Sequence, residues 1–168
     1  MKTYKFYLKA SSYLLNFSQD TGGNRLSSDE KEYYYISSIL LSWIALEAFI
    51  NSISESFSQS SRLKPHEKYF LNEKELKVND DGTFEDRLIR PPTTKKILFL
   101  IRYFTKLDIK KFKKEKIWGN IKSFEDLRNK IIHSKNKNNF EVTSIKANEF
   151  LDLINDFIGF LSKKFKNT

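Results

Sequence analysis

The strongest constraint on the fold of this chain is a repeat of apolar side chains every three, four or seven residues. The repeat is clearest in a segment that ends near Phe57, where it places one stripe of side chains along one face of a helix. Ser27 and Glu30 form a capping-box pattern directly before this segment. The stripe consists of Ile36, Leu40, Trp43, Ile50 and Phe57. We therefore predict one long helix that packs along this stripe.

The same period predicts further helices along the rest of the chain. They cover Thr3 to Phe17, Pro65 through Leu76, Thr94 to about Leu107, and Ser144 to Phe165 with a stripe of Phe150, Ile154, Phe157, Leu161 and Phe165. Ser123 and Asp126 form a second capping pattern, which predicts the start of a helix that ends near His133. Breaks are predicted at Gly22-Gly23-Asn24, Asp80-Asp81-Gly82 and Pro91-Pro92. The pattern predicts an all-α bundle of about five to seven helices.

Length and composition narrow the function classes. The 168 residues suit a single domain, 1–168. The chain has no cysteine, which excludes disulfides and thiolate zinc sites and favours a reducing cytoplasm. We expect no membrane span, no cofactor and no metal, because long apolar runs, a Gly-rich phosphate loop and carboxylates at metal-ligand spacing are all lacking. A net charge of +9 favours an anionic partner such as nucleic acid, although it also serves solubility.

The candidate active site is the stretch from Arg128 to His133, with Asn129 directly after the arginine. RNA can be cut without a metal by a group that moves the proton of the 2′-hydroxyl and a cation that stabilises charge on the phosphate. His133 and Arg128 supply these two functions. The other histidine, His66, lacks an arginine at this spacing, so we interpret it as a surface residue.

The spacing between Arg128 and His133 raises a geometric problem. Residues five apart on a regular α-helix are separated by about 140° around the axis, so they do not share a face. A frayed last turn, the reach of the arginine side chain, or a second copy related by a two-fold axis could each bring the groups together. Because transphosphorylation needs both a base and an acid, one such histidine per chain suggests a homodimer.

Glu47 is an acid on the apolar stripe, four residues after Trp43. A carboxylate there is costly unless it is paired, and Arg128 is the attractive partner. Glu47 then either orients the guanidinium for catalysis or forms a purely structural pair. Arg128 could instead pair with Glu125 or Asp126 on the surface.

The remaining candidates also have two interpretations. Asn129 could bind the phosphate or His133, or face water, and His133 could simply favour the helix C-terminus. The lysines near the motif are candidate RNA contacts, although such residues more often form a solvated surface. They are Lys113, Lys114, Lys130, Lys135 and Lys137.

The Arg-Asn pair, the histidine that follows it, and the acid on the long apolar helix together resemble the HEPN family. The resemblance spans roughly Ser27 to the C-terminus. It implies a helical bundle that pairs about a two-fold axis, with Arg128, Asn129 and His133 in the motif of a metal-independent endoribonuclease. Glu47 then matches an acidic position found in some subfamilies. Many members are bacterial toxins or antiviral effectors.

The resemblance also bears on partners. Family toxins that are silenced by a nucleotidyltransferase tend to carry Tyr two residues after the histidine, where this chain has Lys135. The expected partner is therefore an antitoxin or sensor protein of another kind. We expect a cytoplasmic homodimer that cleaves single-stranded RNA and leaves a 2′,3′-cyclic phosphate. The alternative is a non-catalytic helical module that binds RNA or protein.

Overall fold

The computed structural model describes residues 2–19, 26–133 and 141–166, and this part of the chain is mostly helical, as the apolar period predicts. It contains seven helices and one antiparallel hairpin. In chain order the elements are α1 (Thr3–Gln19), α2 (Ser28–Ser58), α3 (Pro65–Leu71), β1 (Lys74–Val78), β2 (Phe84–Leu88), α4 (Thr93–Phe104), α5 (Ile109–Phe112), α6 (Lys116–His133) and α7 (Ser144–Lys166). The predicted break at 22–24 lies outside the described residues.

Helix α2 is the centre of the bundle and packs against α1, α3, α4, α6 and α7. Its start is fixed by the predicted capping box. The Ser27 side chain accepts a hydrogen bond from the Glu30 backbone at 3.2 Å, and the Glu30 carboxylate accepts one from the Ser27 backbone at 2.8 Å. The bonds from the Ser27 backbone and side chain lower the pKa of Glu30. The sequence therefore located this helix correctly.

The core forms where the apolar stripes of α2 and α7 meet. Trp43 and Ile50 of α2 are buried, and the predicted α7 stripe is buried over its whole length. Helix α1 is fixed to α2 by serines as well, because the Ser11 hydroxyl lies 2.8 Å from those of Ser38 and Ser42. These short side chains let the two helix backbones approach closely.

The predicted helix start at Ser123 is wrong. Helix α6 begins at Lys116 and passes through Ser123, whose side chain is exposed in the middle of the helix. The upstream turns bury Trp118 and Ile121 in the core, and this burial outweighs the local capping preference of a serine. The helix that carries the candidate motif is thus two turns longer than predicted.

The predicted helix from Pro65 through Leu76 is also wrong in its second half, and the chain is not purely α. Helix α3 ends at Leu71, and Glu73 follows with a φ of 57°, a left-handed conformation that terminates helices. The chain then forms β1, turns at Asp80–Gly82 as predicted, and returns as β2. Cross-strand ion pairs between Lys74 and Asp86 at 3.0 Å, and between other charged residues, favour the hairpin.

Helix α2 is long and apolar enough, by length and composition alone, to cross a membrane, and within the described residues it is the one helix that passes this test. The sequence predicts this long helix, and we expect no membrane span. In the fold, 44% of its most apolar window is buried by the surrounding helices. The central helix of a globular bundle has the same length and composition, so this property does not distinguish the two settings.

Candidate functional site

The candidate site lies where α2 meets α6 and the first turn of α4. Glu47 of α2 is its central acid, and a single oxygen of its carboxylate receives two hydrogen bonds. The Trp43 indole nitrogen donates to Oε1 at 2.8 Å, and the Thr93 hydroxyl of α4 donates to the same oxygen at 3.3 Å. The carboxylate is therefore held in one orientation by two different helices.

Arg128 of α6 completes the predicted pair with Glu47. Its Nη2 atom lies 3.6 Å from Glu47 Oε1, and its Nη1 atom donates a hydrogen bond to Asn129 Oδ1 at 3.0 Å. The side chains of Arg128 and Glu47 are 26% and 34% exposed, so the pair is half-buried, not buried as the sequence suggested. A pair this open contributes at most about 1 kcal/mol to stability.

Glu125 does not compete for Arg128. Its carboxylate accepts a hydrogen bond from the Thr94 hydroxyl at 2.9 Å and pairs with Lys122 on the same helix. Two consecutive threonines of α4 therefore contact different acids. Thr93 donates a hydrogen bond to Glu47, and Thr94 donates one to Glu125. The surface pairing of Arg128 with Glu125 that the sequence left open is not formed.

Asn129 directs its carbonyl oxygen at the Arg128 guanidinium. This contact differs from both alternatives drawn from the sequence, in which the side chain met the phosphate or His133, or faced water. The guanidinium is held on one side by Glu47 and on the other by Asn129. One of its five N–H donors makes the hydrogen bond to Asn129, and the contact with Glu47 is an ion pair at 3.6 Å, so donors are left for an anionic ligand.

His133 is the last residue of α6, and its side chain is exposed. Because α6 is α-helical through both residues, Arg128 and His133 lie about 140° apart around its axis. A regular helix does not place them on one face, and a second copy or the reach of the arginine remains necessary for them to act together. His66 is exposed in the first turn of α3, in agreement with its interpretation as a surface residue.

The candidate RNA contacts are spread along one stretch of the chain. Lys130 is exposed on α6, and Lys113 and Lys114 are exposed directly after α5. Lys135 and Lys137 lie outside the described residues. The three described lysines are thus accessible to a phosphate backbone.

Two contacts of the site were missed by the sequence reasoning. Trp43 is four residues before Glu47 and therefore one helical turn away, so this spacing could have predicted their hydrogen bond. Thr93 carries no such signal, because its contact with Glu47 depends on how α4 packs against α2. Within residues 2–19, 26–133 and 141–166, no group of three or more His, Cys, Asp or Glu side chains could hold a metal ion.

A second cation contacts α2 one turn further along. Lys96 of α4 is buried, with a side chain only 3% exposed, and its amino group donates to Asn51 Oδ1 at 2.9 Å and to a carboxylate oxygen of Glu73. Asn51 is four residues after Glu47, so both polar contacts lie on the same face of α2. Lys96 therefore connects α2, α4 and the end of α3.

At the other end of α4, the Tyr103 hydroxyl donates to the Glu67 carboxylate, which also accepts the Lys64 backbone N–H at 2.8 Å. The bond from Tyr103, and after it the bond from Lys64, lowers the pKa of Glu67. Donation to this carboxylate raises the pKa of Tyr103. The contact ties α4 to α3.

Comparison with protein-family models, curated proteins and solved structures finds no match to this chain. The resemblance to the HEPN family therefore stays a prediction from the residues of the motif.

Proposed function

We propose that this protein is a metal-independent endoribonuclease of the HEPN type that cleaves single-stranded RNA. In this proposal it acts in the cytoplasm as a homodimer and serves as a toxin or antiviral effector, restrained by an antitoxin or sensor protein. Its catalytic residues are Arg128 and His133, with Glu47 and Asn129 as positioning residues.

The observation that carries the proposal is the way Arg128 is held. Two helices far apart in sequence place Glu47 and Asn129 on either side of the guanidinium, and a quarter of the arginine side chain stays exposed. A cation that is fixed before the substrate arrives needs little reorganisation when charge develops on a phosphate. A purely structural pair does not require this exposure.

The proposed reaction needs two proton transfers. His133 takes the proton of the 2′-hydroxyl, the 2′-oxygen bonds to phosphorus, and the bond from phosphorus to the 5′-oxygen breaks. The 5′-oxygen takes a proton from an acid, which leaves a 2′,3′-cyclic phosphate and a 5′-hydroxyl. Arg128 stabilises the charge on the phosphate.

The second proton transfer is assigned to His133 of a second copy. Because Arg128 and His133 of one chain lie about 140° apart on α6, a groove on a two-fold axis can combine the arginine of one copy with the histidine of the other. Both a base and an acid are then present at one scissile bond.

A second candidate function is a non-catalytic helical module that binds RNA or protein. It is favoured by the same 140° offset, since a structural Arg128 has no need of a histidine on its own face. In this case Arg128 and Glu47 only join α6 to α2.

Incubation of the purified protein with end-labelled single-stranded RNA in excess EDTA separates the two functions. We expect fragments that end in a 2′,3′-cyclic phosphate, identified by mass spectrometry. RNA binding without fragments supports the non-catalytic module. Cleavage that EDTA abolishes and Mg²⁺ restores contradicts the proposed chemistry.

A mixing experiment tests the shared groove. His133→Ala chains are added in excess to wild-type chains and allowed to exchange. If both histidines serve one bond, activity falls with the square of the wild-type fraction. A linear fall means that each chain carries a complete site.

A further inference from the structure

The hairpin of β1 and β2 stands out from the bundle, because all ten of its strand residues are exposed. Its register pairs Lys74 with Leu88, Leu76 with Asp86 and Val78 with Phe84, and residues opposite each other share a face. One face is therefore mainly apolar. The other face carries two charged pairs, Glu75 with Arg87 at 3.7 Å and Lys77 with Glu85 at 3.4 Å.

The apolar face is large for an exposed surface. Leu76, Val78, Phe84 and Leu88 are 56%, 58%, 68% and 78% exposed. A two-stranded hairpin is at best marginally stable in water by itself, and a contiguous exposed apolar patch indicates an interaction surface. Additional strands would therefore stabilise the hairpin.

The outer edge of β1 carries backbone groups that do not pair within the hairpin. At the two ends of β1, Ile89 N donates to Glu73 O at 2.8 Å and Asn79 N donates to Thr83 O at 2.9 Å. These two bonds establish which residues of β1 direct their backbone groups toward β2. Every second residue of β1 between these ends points its N–H and C=O inward, and the others point outward. The outward residues are Lys74, Leu76 and Val78.

We propose that β1 pairs antiparallel with β1 of a second copy of this chain, about a two-fold axis at Leu76, to form a four-stranded sheet. In this register Leu76 meets Leu76 of the second copy, and Lys74 meets Val78. Every outward N–H and C=O of these residues gains a partner. The two apolar faces become one continuous surface.

Charge complementarity selects a copy of the same chain as the occupant. Between the hydrogen-bonded positions, Glu75 lies opposite Lys77 of the second copy, and Lys77 lies opposite its Glu75. One row across the charged face then consists of Glu85 and Lys77 of one copy followed by Glu75 and Arg87 of the second copy. The charges in this row alternate in sign. Opposite charges at directly facing positions stabilise a sheet, and like charges destabilise it.

The charges at facing positions also argue against self-pairing of the outer edge of β2. Pairing of β2 with itself in the equivalent register places Asp86 directly opposite Asp86 of the second copy. Two carboxylates at the centre of the interface repel, whereas β1 places two leucines there. The free edge of β1 is therefore the self-complementary one.

This interface goes beyond the proposed function, because it depends neither on RNA cleavage nor on the groove shared by two histidines.

Charge reversal with sedimentation equilibrium at low salt tests the interface. We expect wild type to dimerise, and Glu75→Lys or Lys77→Glu alone to weaken the dimer about tenfold or more, because each places two like-charged pairs across the axis. An equal mixture of the two variants should form heterodimers with an affinity near that of wild type, since both pairs are again complementary. Circular dichroism checks that each variant is folded.

A matched pair of substitutions separates edge pairing from packing of the apolar faces. Leu76→Glu places two carboxylates on the axis and should abolish the dimer, whereas Leu88→Glu makes the same change on the same face of β2 and should leave it intact. Equal effects of both substitutions overturn edge pairing. A monomeric wild type, or a mixture without heterodimers, also overturns it.

RNA cleavage by the same variants keeps this test separate from the proposed function. Dimers without cleavage leave the interface in place and contradict the endoribonuclease. Cleavage by a wild-type monomer contradicts both the interface and the groove shared by two histidines, but it leaves the endoribonuclease activity in place.

Discussion

Two cations contact the same face of α2 one turn apart, and they are held in opposite ways. Lys96 is 3% exposed and donates to Asn51 and Glu73 at hydrogen-bonding distance. Arg128 is 26% exposed, and its guanidinium lies 3.6 Å from Glu47. Lys96 is enclosed by its partners, whereas Arg128 is oriented by them and remains accessible.

The difference teaches how a structural cation is distinguished from one available for chemistry. A buried ammonium has already lost its water, so it stabilises the fold only while its partners remain, and a ligand cannot reach it. A half-exposed guanidinium gains little stability from its pair, but it keeps donors for a phosphate. The two residues should therefore respond differently to substitution.

The largest expected effect is on RNA cleavage. Arg128→Ala and His133→Ala should each lower kcat/KM about a hundredfold or more, which corresponds to about 2.7 kcal/mol of transition-state stabilisation. Both variants should unfold near the wild-type temperature. Cleavage of labelled RNA and thermal unfolding measure the two quantities.

Exposed residues of the same types serve as controls for this comparison. His66→Ala and Arg102→Ala remove side chains that are exposed on α3 and α4. Both should leave cleavage unchanged. A folded Arg128→Ala variant with full activity would mean that Arg128, like Lys96, has only a structural role.

The next effect is on stability and concerns Lys96. Lys96→Met keeps the aliphatic stem but removes the donor to Asn51 and Glu73, and it should lower the free energy of unfolding by about 2 kcal/mol. Cleavage per folded molecule should not change. Urea unfolding measures the loss.

The neighbouring lysine provides the matched control, because Lys95 is exposed on the same helix. Lys95→Met should change the free energy of unfolding by less than about 0.5 kcal/mol. Equal losses from both substitutions would mean that burial of Lys96 contributes nothing specific.

A smaller effect is expected at Glu47, and it tests whether the pair of Glu47 with Arg128 serves catalysis or only the fold. Glu47→Gln retains an oxygen for Trp43 and Thr93 but removes the charge that faces Arg128. Cleavage should fall about tenfold, while stability changes by less than about 1 kcal/mol. A large loss of stability with intact cleavage supports the structural interpretation of the pair.

The smallest effect concerns acid stability at the other end of α4. The lowered pKa of Glu67 means that its ionised form is favoured by folding, so its contribution is present above the ordinary pKa range of Glu and is lost as pH falls through the folded value. Tyr103→Phe removes the main cause of this shift.

Chemical unfolding from neutral to acidic pH measures this effect. The stability difference between wild type and Tyr103→Phe should be constant near neutral pH and should shrink as Glu67 is protonated. A difference that grows in acid contradicts the assigned contact, because it implies a raised pKa in the fold.

The sequence pattern correctly predicted those parts of the fold that depend on interactions between residues close together in the chain. The capping box at Ser27 and the apolar stripe of α7 are confirmed, because both depend on residues within one or two turns of each other. The pairing of Glu47 with Arg128 was also predicted, since an acid on an apolar stripe needs a cation.

The errors arise where distant contacts overrule local preference. Ser123 has the features of a helix start, but burial of Trp118 and Ile121 extends α6 upstream. The segment after Leu71 was expected to continue the helix through Leu76, but Glu73 takes a left-handed conformation and cross-strand pairs form the hairpin. In both cases, partners from outside the local window decide the structure.

The sequence by itself determined that this is a mostly helical, basic chain with one acid on the apolar stripe of its central helix and one Arg-Asn…His motif. Only the tertiary structure decided which of two adjacent lysines is buried, how Asn129 meets Arg128, and that Thr93 holds Glu47. The physical reason is that successive residues of a helix point about 100° apart, so the period fixes which side chains share a face. Which face meets which partner is fixed by the packing of helices that are distant in the chain.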